Sequence, residues 1–151
     1  MKNEPRVVVG VDIGGTKVAA GLVNAYGRIL ARNRTPMLTT GEPSNGLAAV
    51  STAISRLFSD VSSQNQIAAI GICAPGPLNP KTGVIINPPN LTIWHHYPLA
   101  EGMRRVHNVP VRVDNDGNAT ALAEAKWGAG RGYPNLFYAS VWHRDRHRNY
   151  S

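Results

Sequence analysis

The sequence predicts an α/β fold, a mixed sheet with flanking helices. Two observations lead to this prediction. Three strand-like segments follow one another between residues 6 and 35, and helical and strand-like segments alternate after residue 44. This order indicates a sheet with a β-meander at one edge. The chain has 151 residues, of which 42% are hydrophobic, and this is enough for the core of one domain.

Strands are predicted where apolar and β-branched residues are concentrated or alternate with polar ones. The segment at 28–35 alternates and follows a turn at 24–27, so we expect it at an edge of the sheet. The predicted strands are 6–13, 17–23, 28–35, 66–75, 109–115 and 134–141.

Helices are predicted at 44–61, 97–106 and 117–127. Ser44 is the expected N-cap of the first helix, and the apolar residues of that helix repeat on one face. These residues are Leu47, Val50, Ile54, Leu57, Phe58 and Val61. Between residues 75 and 92 the chain is rich in proline, glycine and asparagine. So long an irregular stretch is typical of a functional segment.

The composition argues against several classes of protein. Cys73 is the single cysteine, so a disulfide framework is excluded, and no apolar run approaches the roughly 18 residues that a membrane span needs. The start lacks the pattern of a signal peptide, and we therefore expect a soluble, cytoplasmic protein. The net charge is +7, but the last ten residues alone carry three arginines against one aspartate. The charge therefore does not favour nucleic-acid binding by the rest of the chain.

The motif DIGGTK at residues 12–17 joins two apolar segments. It lacks the spacing of a P-loop and of a dinucleotide-binding fingerprint. Glycines in such a hairpin let backbone N–H groups approach phosphate oxygens, while Thr16 and Lys17 add a hydroxyl and a positive charge. Asp12, at the end of the strand, can hold Mg²⁺. A plain hairpin, in which Asp-x-Gly supplies only turn geometry, remains the alternative.

The stretch DNDGN at residues 114–118 lies where a predicted strand ends and a helix begins. Asp116 can cap the helix there, bind a metal ion, or act as a general base. Ligands of open α/β sheets bind beyond the carboxyl ends of the strands, which is this position. Capping alone stays open as an interpretation, although Asp12 stands at a comparable strand end.

The loop at residues 76–94 carries amide side chains that both donate and accept hydrogen bonds, which suits a polyhydroxyl ligand. The candidates in this loop are Asn79, Asn87, Asn90 and Trp94. The residues by themselves favour a structural proline-rich loop. His95 and His96 have no partner at metal-ligand spacing, and we expect them to be surface or packing residues.

Together and in this order, these motifs resemble the ROK family (repressors, open reading frames and sugar kinases). DIGGTK matches its phosphate-binding motif, the loop matches its pattern PGPLN…TG…N.P.NL..W, and VDNDGNATALAEAKWGAG resembles V.NDANAAALAE.WGAG. The resemblance implies a ribonuclease H-like N-terminal lobe of the actin-like ATPase fold, with sugar and ATP bound between two such domains. No winged helix-turn-helix fits before the first strand, which favours the kinases over the repressors.

The resemblance also implies roles for single residues. Asp116 would be the general base that takes a proton from the sugar hydroxyl attacking the γ-phosphate of ATP. The residues implied to contact sugar are Gly76, Asn90, Asn115 and Asp116. Those implied to face the phosphates are Asp12, Gly14, Gly15, Thr16 and Lys17, with Asp12 at Mg²⁺.

The implied activity is glucokinase-like, with a hexose and Mg-ATP as partners and a homodimer in intact family members. Two alternatives remain open. One is another sugar specificity, such as fructose, allose or an N-acylated amino sugar. The other is a non-catalytic sugar-binding or regulatory module.

The chain departs from the family pattern after residue 141. Family members are about twice as long and continue with a second glycine-rich loop, GTGIGTGI, whereas this chain reads WHRDRHRNYS. The codons TGG CAC CGG GAT CGG CAC CGG AAT TAT encode WHRDRHRNY, and dropping the first base yields GTGIGTGI. We therefore expect an N-terminal domain at 1–141 and a frameshifted basic tail at 142–151. The C-terminal domain and the zinc site of the family would then be absent, and this chain alone would have negligible kinase activity.

Overall fold

A five-stranded sheet organises the first part of the molecule. The computed structural model describes residues 7–58 and 67–139. The strands are β1 (Val7–Ile13), β2 (Lys17–Asn24), β3 (Ile29–Pro36), β4 (Ile67–Ala74), β5 (Leu78–Asn79), β6 (Val84–Ile85) and β7 (Val111–Asn115). Five of them form one sheet in the order β3-β2-β1-β4-β7, while β5 and β6 form a small hairpin of their own.

The pairing of the strands makes the sheet mixed. β1 pairs antiparallel with β2, and β2 pairs antiparallel with β3. β1 pairs parallel with β4, and β4 pairs parallel with β7. Parallel neighbours require long crossovers, and helices supply them here. The predicted α/β sheet with a β-meander edge is confirmed, and β3 lies at that edge.

Two helices pack on one face of this sheet. They are α1 (Pro43–Ser55), which continues as a 3₁₀ turn at Arg56–Phe58, and α2 (Leu99–His107). Along β1, buried and exposed residues alternate without exception. Because successive strand residues point to opposite faces, the apolar face packs against the helices and forms the core. Val50 and Ile54 of α1 are both buried in it.

A third helix, α3 (Asp116–Trp127), follows β7 directly. The chain divides into two units, Met1–Asp116 and Gly117–Ser151, so nearly all of α3 belongs to the second. None of the residues of α3 is buried. No helix in the described ranges combines the length and apolar character needed to cross a bilayer.

The start of α1 differs from the prediction. The helix begins at Pro43 with Glu42 as its N-cap, and no side chain forms a cap hydrogen bond, so Ser44 is not the cap. Proline fits the first turn because the N–H it lacks would have no partner within the helix. Regular helix ends at Ser55, and Val61 lies outside the described residues.

The predicted strand at 134–141 is wrong over its described part. Residues 134–139 form no strand and are exposed, and 140 and 141 lie outside the described ranges. The apolar pattern is present, but a strand forms only when its backbone pairs with a neighbour, and no other strand occurs between residues 117 and 139. The tail at 142–151 also lies outside the described residues.

The contact between the two helices predicts a pH dependence of stability. Ser51 Oγ and His107 Nε2 share a hydrogen bond of 3.2 Å, and desolvation lowers the pKa of His107 below its ordinary value of 6.5. Below pH 6.5 the unfolded chain therefore binds a proton at His107 more readily than the folded chain does. The stability that depends on the neutral imidazole is lost as the pH falls below 6.5.

We expect the urea midpoint of the protein to fall between about pH 7.5 and about pH 5.5, and to fall less in His107→Gln. Glutamine keeps polar contacts without titrating, so the difference between the two proteins isolates the imidazole. Identical pH profiles for both would contradict the assignment.

Candidate active site

Three strands place polar side chains at the same edge of the sheet. Asp12 of β1 is in register with Cys73 of β4, and Cys73 is in register with Asp114 of β7. These strands are parallel, so their carboxyl ends meet at one edge, where open α/β sheets bind ligands. Asp116 follows one residue after the end of β7.

The thiol of Cys73 lies beside Asp12, one of the two aspartates predicted as site residues. Its Sγ–H lies 3.5 Å from the carbonyl oxygen of Val11 and 3.6 Å from Oδ1 of Asp12. Burial is the largest cause that raises the pKa of Cys73 to about 12, and the negative charges of Asp12 and Asp116 contribute to the same rise. The thiol therefore stays protonated and can donate to the Val11 carbonyl and to Asp12.

The DIGGTK motif forms a tight hairpin between β1 and β2. The N–H of Gly14 donates to the carbonyl of Lys17 over 2.9 Å, and the carbonyl of Thr16 accepts from Met37 N–H over 3.0 Å. These bonds fix the backbone from both sides. The side chains of Asp12, Thr16 and Lys17 are exposed, so the hairpin presents a carboxylate, a hydroxyl and an ammonium group to solvent.

Two glycines of the predicted site allow close approach to asparagines. A Cβ atom on Gly15 would lie 3.0 Å from Cβ of Asn90, and one on Gly76 would lie 3.2 Å from Nδ2 of Asn115. The hairpin therefore lies against Asn90 of the long loop. Gly76, at the start of that loop, lies against Asn115 at the end of β7. The structure therefore brings the residues predicted to bind phosphate next to those predicted to bind sugar.

Gly15→Val is expected to destabilise the protein by about 1–3 kcal/mol, because the added side chain would displace Asn90. Gly14→Ala is the matched control, since its Cβ would meet the carbonyl of Lys17 at 3.4 Å, an ordinary contact. The measurement is the urea midpoint of each variant. Equal midpoints for the two variants would show that Gly15 and Asn90 are not packed together.

Other residues of the loop have structural roles. Trp94 is fully buried and donates from Nε1 to the carbonyl of Pro43 over 3.0 Å, so it belongs to the core and does not face a ligand. Oδ1 of Asn79 accepts from the N–H groups of Lys81 and Thr82, which makes it a turn residue. The loop also contains the β5–β6 hairpin and a bridge from Ile85 to Tyr97. It is therefore more regular than predicted.

The remaining polar residues of the loop lie at the surface. Asn87 and Asn90 are exposed. His95 and His96 are also exposed, and their rings pack edge to face with centroids 4.6 Å apart. The expectation that these histidines are surface residues is confirmed.

Sequence reasoning used Cys73 only to exclude a disulfide framework and missed its place in register between Asp12 and Asp114. A signal for this place does exist in the sequence. Cys73 lies three residues before Gly76, much as Asp12 lies two residues before Gly14, so each is the last residue but one of a strand that runs into a glycine turn. The register of β1 against β4, which makes them neighbours, is visible only in the fold.

The site fits Mg²⁺ bound together with a nucleotide better than it fits a metal held by protein alone. Across residues 7–58 and 67–139, no group of three or more His, Cys, Asp or Glu side chains is arranged to hold a metal ion. Mg²⁺ needs only one or two carboxylates when phosphate oxygens and water complete its octahedron. Asp12 is exposed beside the hairpin and can supply one of them.

Comparison with known proteins decides the family. The model of the ROK family matches residues 8–143. The chain belongs to the ROK family. A glucokinase of Streptomyces coelicolor is 38% identical over 130 residues, which cover 86% of this chain and 39% of that protein. A fructokinase of Zymomonas mobilis subsp. mobilis is 31% identical over 148 residues, 93% of this chain and 46% of that protein.

A solved structure agrees with this assignment. The ROK family glucokinase of Streptomyces griseus, in complex with glucose and AMPPNP, superposes with a TM-score of 0.73 at 35% identity, over 83% of this chain and 38% of that one. The predicted ribonuclease H-like, actin-like fold is therefore confirmed. This ROK chain spans less than half the length of these relatives.

Proposed function

We propose that this ROK chain is the lobe of a sugar kinase that holds a hexose and the phosphates of ATP. In the completed enzyme, the γ-phosphate of Mg-ATP is transferred to a hexose hydroxyl. The first candidate for this acceptor is the 6-hydroxyl of glucose. One observation carries the proposal: Asp12 of β1 is in register with Cys73, Cys73 is in register with Asp114 of β7, and Asp116 directly follows β7, so both carboxylates lie at one edge of the sheet. Phosphoryl transfer needs a base beside the attacking hydroxyl and a ligand for the metal ion beside the phosphates, and these two carboxylates can supply them.

Asp116 is the general base in this proposal. A sugar hydroxyl is a weak nucleophile, and a carboxylate that accepts its proton as the O–P bond forms lowers the barrier. The side chain is exposed at the carboxyl edge of the sheet, so a sugar can reach it. Asn115 precedes it and lies against Gly76, and the amides of Asn115 and Asn90 orient the sugar by hydrogen bonds to its hydroxyls.

The hairpin at residues 12–17 holds the phosphates. The exposed ammonium group of Lys17 neutralises phosphate charge, and the exposed hydroxyl of Thr16 donates a hydrogen bond to a phosphate oxygen. Asp12 would hold Mg²⁺ together with ATP, and the ion would supply positive charge for the phosphate oxygens. The contact between Gly15 and Asn90 keeps the phosphate and sugar subsites at a fixed separation.

The chain alone has negligible turnover in this proposal. It matches 39% of the Streptomyces coelicolor glucokinase, so most of the second wall of the cleft has no counterpart here. A cleft with one wall cannot exclude water or position both substrates. The tail at 142–151 results from a single-base frameshift in this proposal. The completed enzyme is a cytoplasmic homodimer without a zinc site contributed by this chain.

The test is to restore the alternative reading frame at codon 142 and assay the longer product. A coupled assay with glucose, fructose, allose and an N-acylated amino sugar measures ATP-dependent phosphorylation. We expect turnover with glucose in the restored protein and none in the 151-residue chain. Turnover by the short chain that disappears in Asp116→Asn would refute its inactivity. Codons that do not give GTGIGTGI in a neighbouring frame would refute the frameshift.

A non-catalytic sugar-binding module is the second candidate, favoured by the small share of the relatives that the chain covers. It predicts that the chain binds glucose without turnover, and that the restored protein gains no activity. Titration calorimetry with glucose, with Asn90→Ala as the binding-deficient variant, distinguishes this outcome from the kinase.

A further inference from the structure

A charged row crosses the sheet near its carboxyl edge. Asp12 of β1 is in register with Ala19 of β2, and Ala19 is in register with Arg34 of β3. Side chains of residues in register lie on the same face of a sheet. Asn33, the residue before Arg34, donates to the carbonyl of Ala53 in α1 over 3.2 Å, so Arg34 points away from the helices. Asp12 and Arg34 therefore share the face opposite α1.

Lys17 lies beside Arg34 on this face. Lys17 of β2 is in register with Pro36 of β3, so Arg34 is its diagonal neighbour, at a spacing that long side chains can span. Both side chains are exposed, and the side chain between Arg34 and Asp12 in the row is the methyl group of Ala19. Because two strand spacings amount to about 10 Å, an extended arginine side chain can reach a ligand bound at Asp12.

The charges of Lys17 and Arg34 are not balanced by an ion pair in the part of the chain that the structure describes. The ion pairs within this part join Glu101 to Arg104 and Arg105 on α2. Like charges at neighbouring positions of a sheet are destabilising, and a bound anion removes this repulsion. The guanidinium group is a planar fork of N–H donors that matches the oxygens of a phosphate. The pair therefore suits a phosphate chain.

We propose that Arg34 is a further phosphate-binding residue, which contacts the phosphates that stay with the leaving group of the donor. The proposal rests on the proposed function, in which Asp12 serves the phosphates and Asp116 the sugar. The strand order β3-β2-β1-β4-β7 places Asp116, which follows β7, on one side of Asp12 and Arg34 on the other. The transferred group lies towards Asp116, so the remaining phosphates extend towards β3.

This position gives Arg34 a role in the reaction. As the sugar oxygen bonds to the γ-phosphorus, the bond from that phosphorus to the bridging oxygen breaks, and the bridging oxygen keeps the electron pair. The guanidinium group of Arg34 and the ammonium group of Lys17 stabilise this added charge on the leaving diphosphate.

Protection of the sheet edge is the alternative role for this arginine. β3 is an edge strand, and charged residues on such strands prevent pairing with other chains. That role can be met at any exposed position of the strand. It does not require the row of Asp12 or the neighbourhood of Lys17, which are the two features that favour phosphate binding.

The test measures binding of inorganic tripolyphosphate and of ATP to the intact 151-residue chain by titration calorimetry. Arg34→Gln removes the guanidinium charge. Arg28→Gln is the matched control, because Arg28 is also exposed and lies six residues earlier, about 20 Å away along an extended chain. Lys17→Gln tests the hairpin separately.

We expect the wild type and Arg28→Gln to bind both probes with equal affinity. Arg34→Gln should bind each probe about tenfold more weakly, because a charge-assisted contact to phosphate is lost. The same loss is expected with both probes, since they share the phosphate chain. The urea midpoint of Arg34→Gln should equal that of the wild type, because the side chain is exposed.

Several results would overturn the inference. Equal affinity of the wild type and Arg34→Gln would leave edge protection as the role of Arg34. An equal loss in Arg34→Gln and Arg28→Gln would show only a general attraction of anions to a basic chain. A loss confined to ATP would place Arg34 at the nucleoside.

The proposed function can be separated from this inference. If Lys17→Gln loses affinity and Arg34→Gln does not, the hairpin still holds phosphates and only the inference is wrong. If the wild type binds neither probe, both the inference and the phosphate-binding role of the hairpin are wrong.

Discussion

Asp116→Asn is expected to lower kcat of the completed kinase by about 10²- to 10⁴-fold, the usual contribution of a general base. Asparagine has nearly the same shape as aspartate and keeps one oxygen acceptor, but it cannot take up a proton. Binding of the sugar should therefore change little. The measurement is the steady-state rate with saturating hexose and Mg-ATP, together with KM for the hexose.

Asp114→Asn is the matched control for this prediction. Oδ1 of Asp114 accepts the N–H of Asn115 over 2.7 Å, and an amide oxygen can accept the same bond. We expect its kcat to stay within a few-fold of the wild type. If the two variants lose activity equally, the strand end matters only as a structural unit, and the base lies elsewhere.

Trp94→Ala is expected to cost about 3–5 kcal/mol of unfolding free energy, as for other buried aromatic side chains. The indole is fully buried, stacks on Tyr97 with ring centroids 5.4 Å apart, and donates to the carbonyl of Pro43 over 3.0 Å. Its removal leaves a cavity and removes the donor to the Pro43 carbonyl. Domains are stable by only about 5–15 kcal/mol, so this variant should be marginally folded.

The control is Trp127→Ala, since Trp127 is 67% exposed at the end of α3. We expect a change of less than about 0.5 kcal/mol for this surface substitution. Urea unfolding followed by far-ultraviolet circular dichroism measures both variants. A similar loss for the two tryptophans would contradict the assignment of Trp94 to the core.

Trp94 also shows where a motif can mislead. In the sequence it belongs to a loop that resembles a sugar-binding segment. The amino-acid sequence does not show whether such a residue contacts a ligand or belongs to the core. The fold distinguishes the two roles, because the side chains of Leu91 and Trp94 are buried in the core while Asn87 and Asn90 are exposed at the surface. The predicted strand at 134–141 failed for a related reason. Its composition suits a strand, but pairing depends on a partner that its own sequence does not specify.

The five strands of the main sheet and the two aspartates near strand ends follow from the amino-acid sequence, because hydrophobic period and glycine turns are local properties. The tertiary structure decided which of these local features meet. It placed Cys73 in register between Asp12 and Asp114 and aligned Gly21, Gly10 and Gly71 in one row across three strands. Contacts of this kind depend on the register between strands distant in sequence. That register is fixed by packing of the whole core, so no single segment contains it.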